Sequence, residues 1–370
     1  MADTHLVTGA TGFVGGALAL ELISRTDVVI GCLVRGEAPE ARLERALTGA
    51  ARAYGRADLI PEIRRRCRVI PGDILQPLCG EAAMRLENGT EIWHCAASLR
   101  FRQVQAPEIF AHNVGGTRNV VGLARYLRSA AVNYISTAYV AGTRTGIIRE
   151  EVPPSNVAPN NCYERSKIEA ESVLSQVTAV HTRILRPGIV IGHSRTHAAT
   201  NFTGLYGCIN ELQRLKRRLG KEWRRHSLCN SSIRILGRPE TPLNLIPVDA
   251  VAADAVRVGL SNSSVRVFHL TNSCQPEVAS VAAVLMNEVG LPSACFVDSS
   301  RDFTAVEKAL ARALLFYGSY LNSPKSFDRT NTDACGGNSR WPLDTEAIRA
   351  YVRWFLETTV SSLRMDLRAA

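Results

Sequence analysis

The chain has 370 residues, 46% hydrophobic and 21% charged, and its 44 Lys and Arg against 34 Asp and Glu give a formal net charge of +10. That length can bury a full core, the mix is that of a soluble globular protein, and no apolar run reaches the roughly 18 residues that would span a bilayer. Its ten cysteines are scattered without a CxxC pair or a Cys/His ligand spacing, which argues against a disulfide framework and a metal site and predicts reduced thiols in a cytoplasmic setting.

The positive charge favours an acidic or phosphate-rich partner, but no nucleic-acid-binding motif accompanies it. The first predicted strand, residues 5–7, lies so close to Met1 that no signal peptide fits ahead of it. It runs into Thr8-Gly9-Ala10-Thr11-Gly12-Phe13-Val14-Gly15 and then an apolar helical stretch over 13–23. Strand, glycine turn and helix in that order make a phosphate cradle. Gly9 allows the tight turn, Gly12 lets a pyrophosphate approach, and Gly15 lets the helix lie on the sheet. The helix N-terminus would face the phosphates, so Gly9, Thr11, Gly12, Phe13, Val14 and Gly15 are candidate cofactor contacts.

A second buried strand over 28–34 ends at Arg35. A carboxylate there would read the 2′-hydroxyl of NAD, whereas an arginine suits the 2′-phosphate of NADP. Arg35 therefore predicts NADP(H); the alternative is a solvated loop charge. Residues 39–66 read as helical, with Arg64, Arg65 and Arg66 on a solvated surface. A third strand over 67–74 ends in Gly72-Asp73-Ile74, and a fourth over 91–97 ends in small residues that admit a cofactor. His94 in that strand reads as a packed core residue. A helix over 113–129 and a fifth strand over 132–136 follow. The alternation predicts an α/β fold with a doubly wound, parallel Rossmann-type sheet.

The fifth strand runs into Ser136-Thr137-Ala138-Tyr139. Its hydroxyls thus sit at the carboxyl end of a parallel strand, where open α/β sheets place ligands. Tyr163 and Lys167, four apart at the start of the next helix, share one face. An ammonium there would lower the tyrosine pKa and fit Tyr163 as general acid to a carbonyl oxygen receiving hydride. Thr137 would hydrogen-bond the same oxygen, and Lys167 would hold the nicotinamide ribose. Cys162, next to Tyr163, reads as an inert thiol in preference to a reactive one.

Past Gly192 the strand pattern stops. Within 193–240, Ile209, Leu212, Leu215, Leu219 and Trp223 recur at helical spacing, interleaved with Arg214, Lys216, Arg217, Arg218, Lys221, Arg224 and Arg225. This predicts a basic amphipathic helix or helix pair. A helix from Val248, a strand over 266–270, helices over 277–290 and 303–316, a long polar loop from Gly318 to Pro342 and a last helix over about 344–366 complete the chain.

On these residues the chain resembles an extended short-chain dehydrogenase/reductase. The matching pieces are Thr8 to Gly15, Gly72-Asp73-Ile74, His94-Cys95-Ala96-Ala97, Asn113-Val114-Gly115-Gly116-Thr117, Ser136-Thr137-Ala138, Tyr163 with Lys167, and Leu185-Arg186-Pro187-Gly188-Ile189-Val190. Within that superfamily it is most similar to the thioester reductase and fatty acyl-CoA reductase branch, the male-sterility-type NAD-binding proteins. Gly72 to Pro77, Trp93 to Phe101, Tyr139 to Gly142, Leu243 to Asp249, and Tyr320-Leu321 with Phe327 to Asn331 carry that likeness.

The resemblance implies catalytic roles for Thr137, Tyr163 and Lys167, with Ser136 as the neighbour most easily confused with Thr137. It implies NADPH, in agreement with Arg35, and further cofactor contacts at Asp73, Ile74, Cys95, Ala96, Ala97, Asn113, Pro187, Gly188, Ile189 and Val190. The implied activity is reduction of an acyl thioester, from acyl-CoA or an acyl carrier protein, to the aldehyde and on to the alcohol, in lipid or polyketide metabolism. No carrier-protein or adenylation domain accompanies these residues, so the thioester is expected in trans. One competing reading is a tailoring dehydrogenase or epimerase of a ketone, sugar or sterol-like alcohol; the tail and the basic helix stand against it. Another is a scaffold that holds NADPH without turnover; the intact Thr137, Tyr163 and Lys167 stand against that.

For the basic helix the readings are a solvated face, a landing site for a CoA phosphate or an acidic carrier protein, and, last, peripheral contact with anionic lipid. A homodimer is common among the relatives, but the residues here carry no interface signal. The expected organisation is an NADP-binding Rossmann domain over 1–192, with strand and helix contributions from about 241–272. A smaller substrate-binding lobe would be built from 193–240 and 273–370, with the substrate in the cleft between them.

Overall fold

The computed structural model describes residues 4–154, 156–229, 232–315 and 317–369, with side chains described outside 222–229 and 360–369. Seven strands form one parallel sheet: β1 (Thr4–Thr8), β2 (Val29–Val34), β3 (Cys67–Pro71), β4 (Glu91–His94), β5 (Ala131–Ile135), β6 (His181–Pro187) and β7 (Val267–Leu270). Their order across the sheet is β7-β6-β5-β4-β1-β2-β3. The chain reverses direction across the sheet between β1 and β4, which pair from His5 with Glu91 to Thr8 with His94. In open α/β sheets that reversal opens the crevice where ligands bind.

The middle strands are apolar on both faces because helices cover both. On one face α1 (Phe13–Arg25) and the Val248–Gly259 helix pack Leu18, Leu22, Val251 and Ala255 against Trp93 and Phe268. On the other, the Gly116–Tyr126 and Cys162–Ser175 helices pack Val120, Leu123, Ala170 and Leu174 against Ile92, Val132 and Tyr134. A separate apolar cluster joins the Leu205–Cys229, Val278–Val289, Ala305–Ala313 and Thr345–Ala369 helices through Leu212, Val281, Leu285, Leu310 and Phe355. Strand Ser232–Leu236 pairs in parallel with Ser293–Val297, so segments on either side of β7 share this second core. Among the described residues no helix is long and apolar enough to cross a membrane.

Several elements depart from the sequence reading. Residues 39–66 are broken into Pro39–Ala53 and Ile60–Arg66, parted at Gly55, whose φ of +68° ends a helix. Arg66 is not solvated: it is 3% exposed and donates to the carbonyls of Ile23 and Thr26, capping the end of α1. Strands β3 and β4 stop at Pro71 and His94, short of the predicted ends, because Gly72 and Cys95 to Ala97 leave the ladder to line a cavity.

The expected loop over 318–342 instead holds a helix (Gly318–Asn322), a strand (Lys325–Phe327) paired with Gly146–Ile148, and a helix (Thr330–Ala334). Arg329 is the reason: it is 4% exposed and donates to Asp254 Oδ2 and to the His269 carbonyl, each at 3.0 Å. A polar segment can be ordered when its cation is buried and paired. The basic helix is kinked at Gly220 (φ 42°), with Ile209, Leu212 and Leu215 buried and Leu219 packed against the same core. Trp223, Arg224 and Arg225 lie outside the described side chains.

Candidate active site

One cavity of about 1180 Å³ begins at the switch between β1 and β4 and continues into the second core. Its first wall is backbone. Gly9 has φ +74°, and a Cβ there would sit 2.7 Å from Ala96 N; a Cβ on Gly15 would land on the Gly9 carbonyl oxygen. The Gly12 amide donates to Gly9 O at 2.9 Å, closing the turn. Gly12 then starts α1 with no side-chain cap and no acidic residue in the first turn. The first-turn amides are thus left to the cavity, a ready anion site.

Thr8 pins the switch from below: its Oγ1 is 2.8 Å from His94 Nδ1 and accepts from Ala96 N at 3.2 Å. His94 is 1% exposed, reaches Thr117 Oγ1 at 3.2 Å, and burial holds its pKa down to about 3. It is the neutral core residue expected. These features fit a dinucleotide: glycines where a side chain would block it and free amides where phosphates would lie.

Arg35 lines the cavity beyond β2 with a half-open side chain. Its Nη1 lies 3.8 Å from Asp73 Oδ2 and 3.3 Å from His112 Nε2. Arg42 donates to the Arg35 carbonyl and lines the same edge, bringing a second guanidinium to it. The sequence reading missed Arg42 and His112. Arg42 lies in the first turn of Pro39–Ala53, so a helix start four residues past Arg35, with an arginine in its first turn, was the available signal.

The hydroxyl strand end sorts Ser136 from Thr137. Ser136 Oγ donates to Glu171 Oε1 at 2.5 Å, and Glu171 in turn accepts from Arg186 at 2.9 and 2.6 Å. Ser136 is therefore tied to a buried ion pair. Thr137 Oγ1 accepts from Tyr139 N at 3.2 Å and lines the cavity, so its proton can be donated into it. Tyr163 and Lys167 line the same wall from the Cys162–Ser175 helix, which Asn161 caps by accepting from Glu164 N at 2.9 Å.

Lys167 is 2% exposed, donates to the Ile135 carbonyl at 2.8 Å, and lies 4.6 Å from the centre of the Tyr134 ring. Burial pulls its pKa down to about 8, against the pull of Glu171. The expected lowering of the Tyr163 pKa is overturned. Burial, and then the Glu164 carboxylate, push the phenol up. The buried amine spends its hydrogen bond on a backbone carbonyl, and desolvation of the phenolate outweighs the four-residue spacing. Tyr163 is held protonated.

Asn113 is 1% exposed and is not among the residues that line the cavity. Its amide accepts from Ser98 N (2.7 Å) and donates to Ser98 O (3.0 Å) and Ser166 Oγ (2.8 Å). It ties the loop after β4 to the Tyr163 helix from within a π turn over Ala111–Gly115. Thr11, Phe13, Val14, Ile74, Cys95, Ala97 and Pro187 to Val190 all line the cavity. Ile189 is held there by its amide's bond to Asn244 O at 2.8 Å.

The sequence reading singled out Tyr320 as part of the tail's family likeness but gave it no role in the site. Tyr320 packs edge-on to Tyr139 with ring centres 4.7 Å apart and donates to Glu164 Oε1 at 3.2 Å. The separation of 156 positions between Tyr320 and Glu164 left no local pattern to find it by.

Residues 7–255 match the family model described as male sterility protein. A linear gramicidin synthase of Brevibacillus parabrevis is 28% identical over 300 residues, 76% of this chain and 5% of that protein. Fatty acyl-CoA reductase 1 of Pongo abelii is 29% identical over 222 residues, 50% of this chain and 42% of that protein. The chain therefore spans less than half the length of either. The crystal structure of the terminal R domain from the myxalamid PKS-NRPS biosynthetic pathway superposes with a TM-score of 0.74 at 26% identity, covering 96% of this chain and 91% of that one.

Proposed function

The chain belongs to the male sterility protein family, and on that footing we propose that it is an NADPH-dependent reductase of an acyl thioester, yielding the aldehyde and, with a second hydride, the alcohol. The observation that carries this reading is one continuous cavity with the glycine cradle and Arg35 at one end and Thr137, Tyr163 and Lys167 on the wall beyond it. NADPH, when bound, supplies the hydride. Gly9, Gly12, Gly15 and the first turn of α1 would hold its pyrophosphate. Arg35 and Arg42 would meet the 2′-phosphate, which supports NADP over NAD.

The chain's own groups do the rest. Thr137 donates a hydrogen bond to the thioester carbonyl oxygen and steadies the charge that develops as the carbon is reduced. Tyr163, held in its phenol form, passes its proton to that oxygen and gives a hemithioacetal. Collapse returns that proton to Tyr163, breaks the C–S bond and releases a thiolate, which takes up a proton from solvent. Lys167 keeps a positive charge beside these groups. The thiol partner is CoA or a carrier protein, either of which brings phosphate and negative charge toward the exposed Arg214 face of the Leu205–Cys229 helix.

The test is cofactor oxidation by the purified protein with acyl-CoA and acyl-carrier-protein substrates, with released thiol titrated and products identified by mass spectrometry. Thioester-dependent release of thiol with an aldehyde or alcohol is expected, falling about 10³-fold in Tyr163→Phe with the fold intact. Turnover of a plain ketone or secondary alcohol, with every thioester untouched, would replace this reading by that of a tailoring dehydrogenase.

A further inference from the structure

Beyond Tyr163 the cavity wall changes character. Val278, Val281, Ala282, Leu285 and Met286 line it from the Val278–Val289 helix. They fall at i, i+3, i+4, i+7 and i+8, one helical face. Leu212, Ile235, Leu243 and Leu314 of the same apolar cluster face the cavity too. These are core side chains that face an opening, the kind of surface that takes an apolar ligand.

Polar side chains among the residues lining this arm are few: Thr203 and Arg312 are exposed, and Asn201 and Ser319 are half-buried. Tyr317 donates to Gly204 O at 3.3 Å, and Glu211 accepts from Arg214 at 2.9 Å. A peptidyl group laid along Leu212, Val281 and Leu285 would bury amide N–H and C=O groups against side chains with nothing to offer them. An alkyl chain carries no such penalty and gains by every methylene it removes from water.

From this wall, and resting on the thioester reductase reading, we infer that the acyl group taken here is a hydrocarbon chain, and that Ala282 gauges its length. Ala282 is the smallest of the five lining residues of its helix. It is half-buried between Val281 and Leu285, both buried, so a larger side chain grown at 282 projects into the arm. Its neighbour Ala283 is exposed on the outer face of the same helix and lines nothing in the cavity.

The experiment compares kcat/KM for acetyl-, hexanoyl-, decanoyl- and myristoyl-pantetheine, and for a dipeptidyl-pantetheine matched in length to decanoyl. Decanoyl-pantetheine binding is measured by calorimetry in parallel. The specificity constant should climb roughly fourfold per methylene until the arm is filled, and the dipeptidyl thioester should stay near the acetyl one. In Ala282→Phe the decanoyl-to-acetyl ratio should fall about 60-fold, the equivalent of three methylenes. Ala283→Phe burdens the same helix with the same ring and should leave the ratio unchanged, so a collapse in both variants would mark misfolding and Ala282→Val would then be read in place of Ala282→Phe.

Thioester turnover with a flat chain-length profile, or with the dipeptidyl substrate preferred, overturns the inference and leaves the reductase reading standing. Decanoyl binding that Ala282→Phe weakens, in a protein that reduces no thioester, sinks the reductase reading and keeps the apolar arm. Absence of decanoyl binding sinks the arm itself.

Discussion

The two ends of the cavity are built by different means. At the nucleotide end the wall is backbone: Gly9 approaches Ala96, Gly15 approaches Gly9, and the amides of α1 are left uncapped. Its glycines, Gly9, Gly12 and Gly15, lie within a few positions of each other. At the acyl end the wall is side chain, contributed by Leu212, Ile235, Val281 and Leu314 from separate elements that share one apolar cluster. A backbone wall has nothing to trim, so changes there remove binding altogether. A side-chain wall can be reshaped one residue at a time, so changes there alter which ligand fits.

The sharpest probe of this contrast is the junction between the ends. Glu171 and Arg186, 1% and 0% exposed in their side chains, pair at 2.6 Å beneath the Ser136 hydroxyl. Glu171→Ala leaves a buried guanidinium without its carboxylate and should cost about 3–5 kcal/mol of folding stability, read from the urea midpoint. Because β5 and β6 lead into Ser136, Thr137 and Pro187 on the wall between the two ends, nucleotide and thioester affinities should fall together. A loss confined to one of them would mean the ends are mechanically independent. The next effect down is Arg35→Ala, which removes a charged side chain from the edge of the nucleotide end that Arg42 also lines. NADPH affinity should drop about 10- to 100-fold by fluorescence titration, with NADH affinity unchanged. An equal loss for both cofactors would leave the 2′-phosphate unread by Arg35.

The same contrast explains what was legible in the sequence. Gly9, Gly12 and Gly15, the Ser136-Thr137 strand end and the Tyr163–Lys167 pair announce themselves because their chemistry demands fixed local spacings. The seven-stranded sheet follows from strands that alternate with helices. Tyr320, Arg42 and the face of the Val278–Val289 helix were invisible as site residues. A tyrosine 156 residues from its carboxylate, or an apolar face that opens on a cavity instead of closing on a core, has the same local pattern as any packed residue. Asn113 shows the converse. Its motif was read and its place near the site is right, but its amide is spent on Ser98 and Ser166. The order of the 318–342 segment rests on Arg329 meeting Asp254, a partner that composition does not announce.

The smallest effect tests the corrected acid–base arrangement. Spacing alone predicted a phenol lowered by its lysine. In the fold, burial pulls Lys167 down to about 8 and pushes Tyr163 up. Of the groups facing Lys167, Cys95 is pushed by burial to about 12 and His94 is held near 3, so neither titrates near 8. Above neutral pH the lysine is then the first of these groups to lose its proton. The alkaline limb of kcat/KM should bend near pH 8 and fall tenfold per unit above it. Stability should move the other way. Between about 8 and the ordinary lysine value of roughly 10.4, the unfolded chain binds the proton that folded Lys167 has lost, so this group's contribution to stability rises with pH. Lys325, also drawn down to about 8 by burial, adds to it with the same sign. Activity measured beside the urea midpoint separates the two, because an inactivation caused by unfolding would lower both. Lys167→Arg keeps its charge throughout. Whatever activity that variant retains should show no limb near 8, and a limb that persists there would assign the titration to a group other than Lys167.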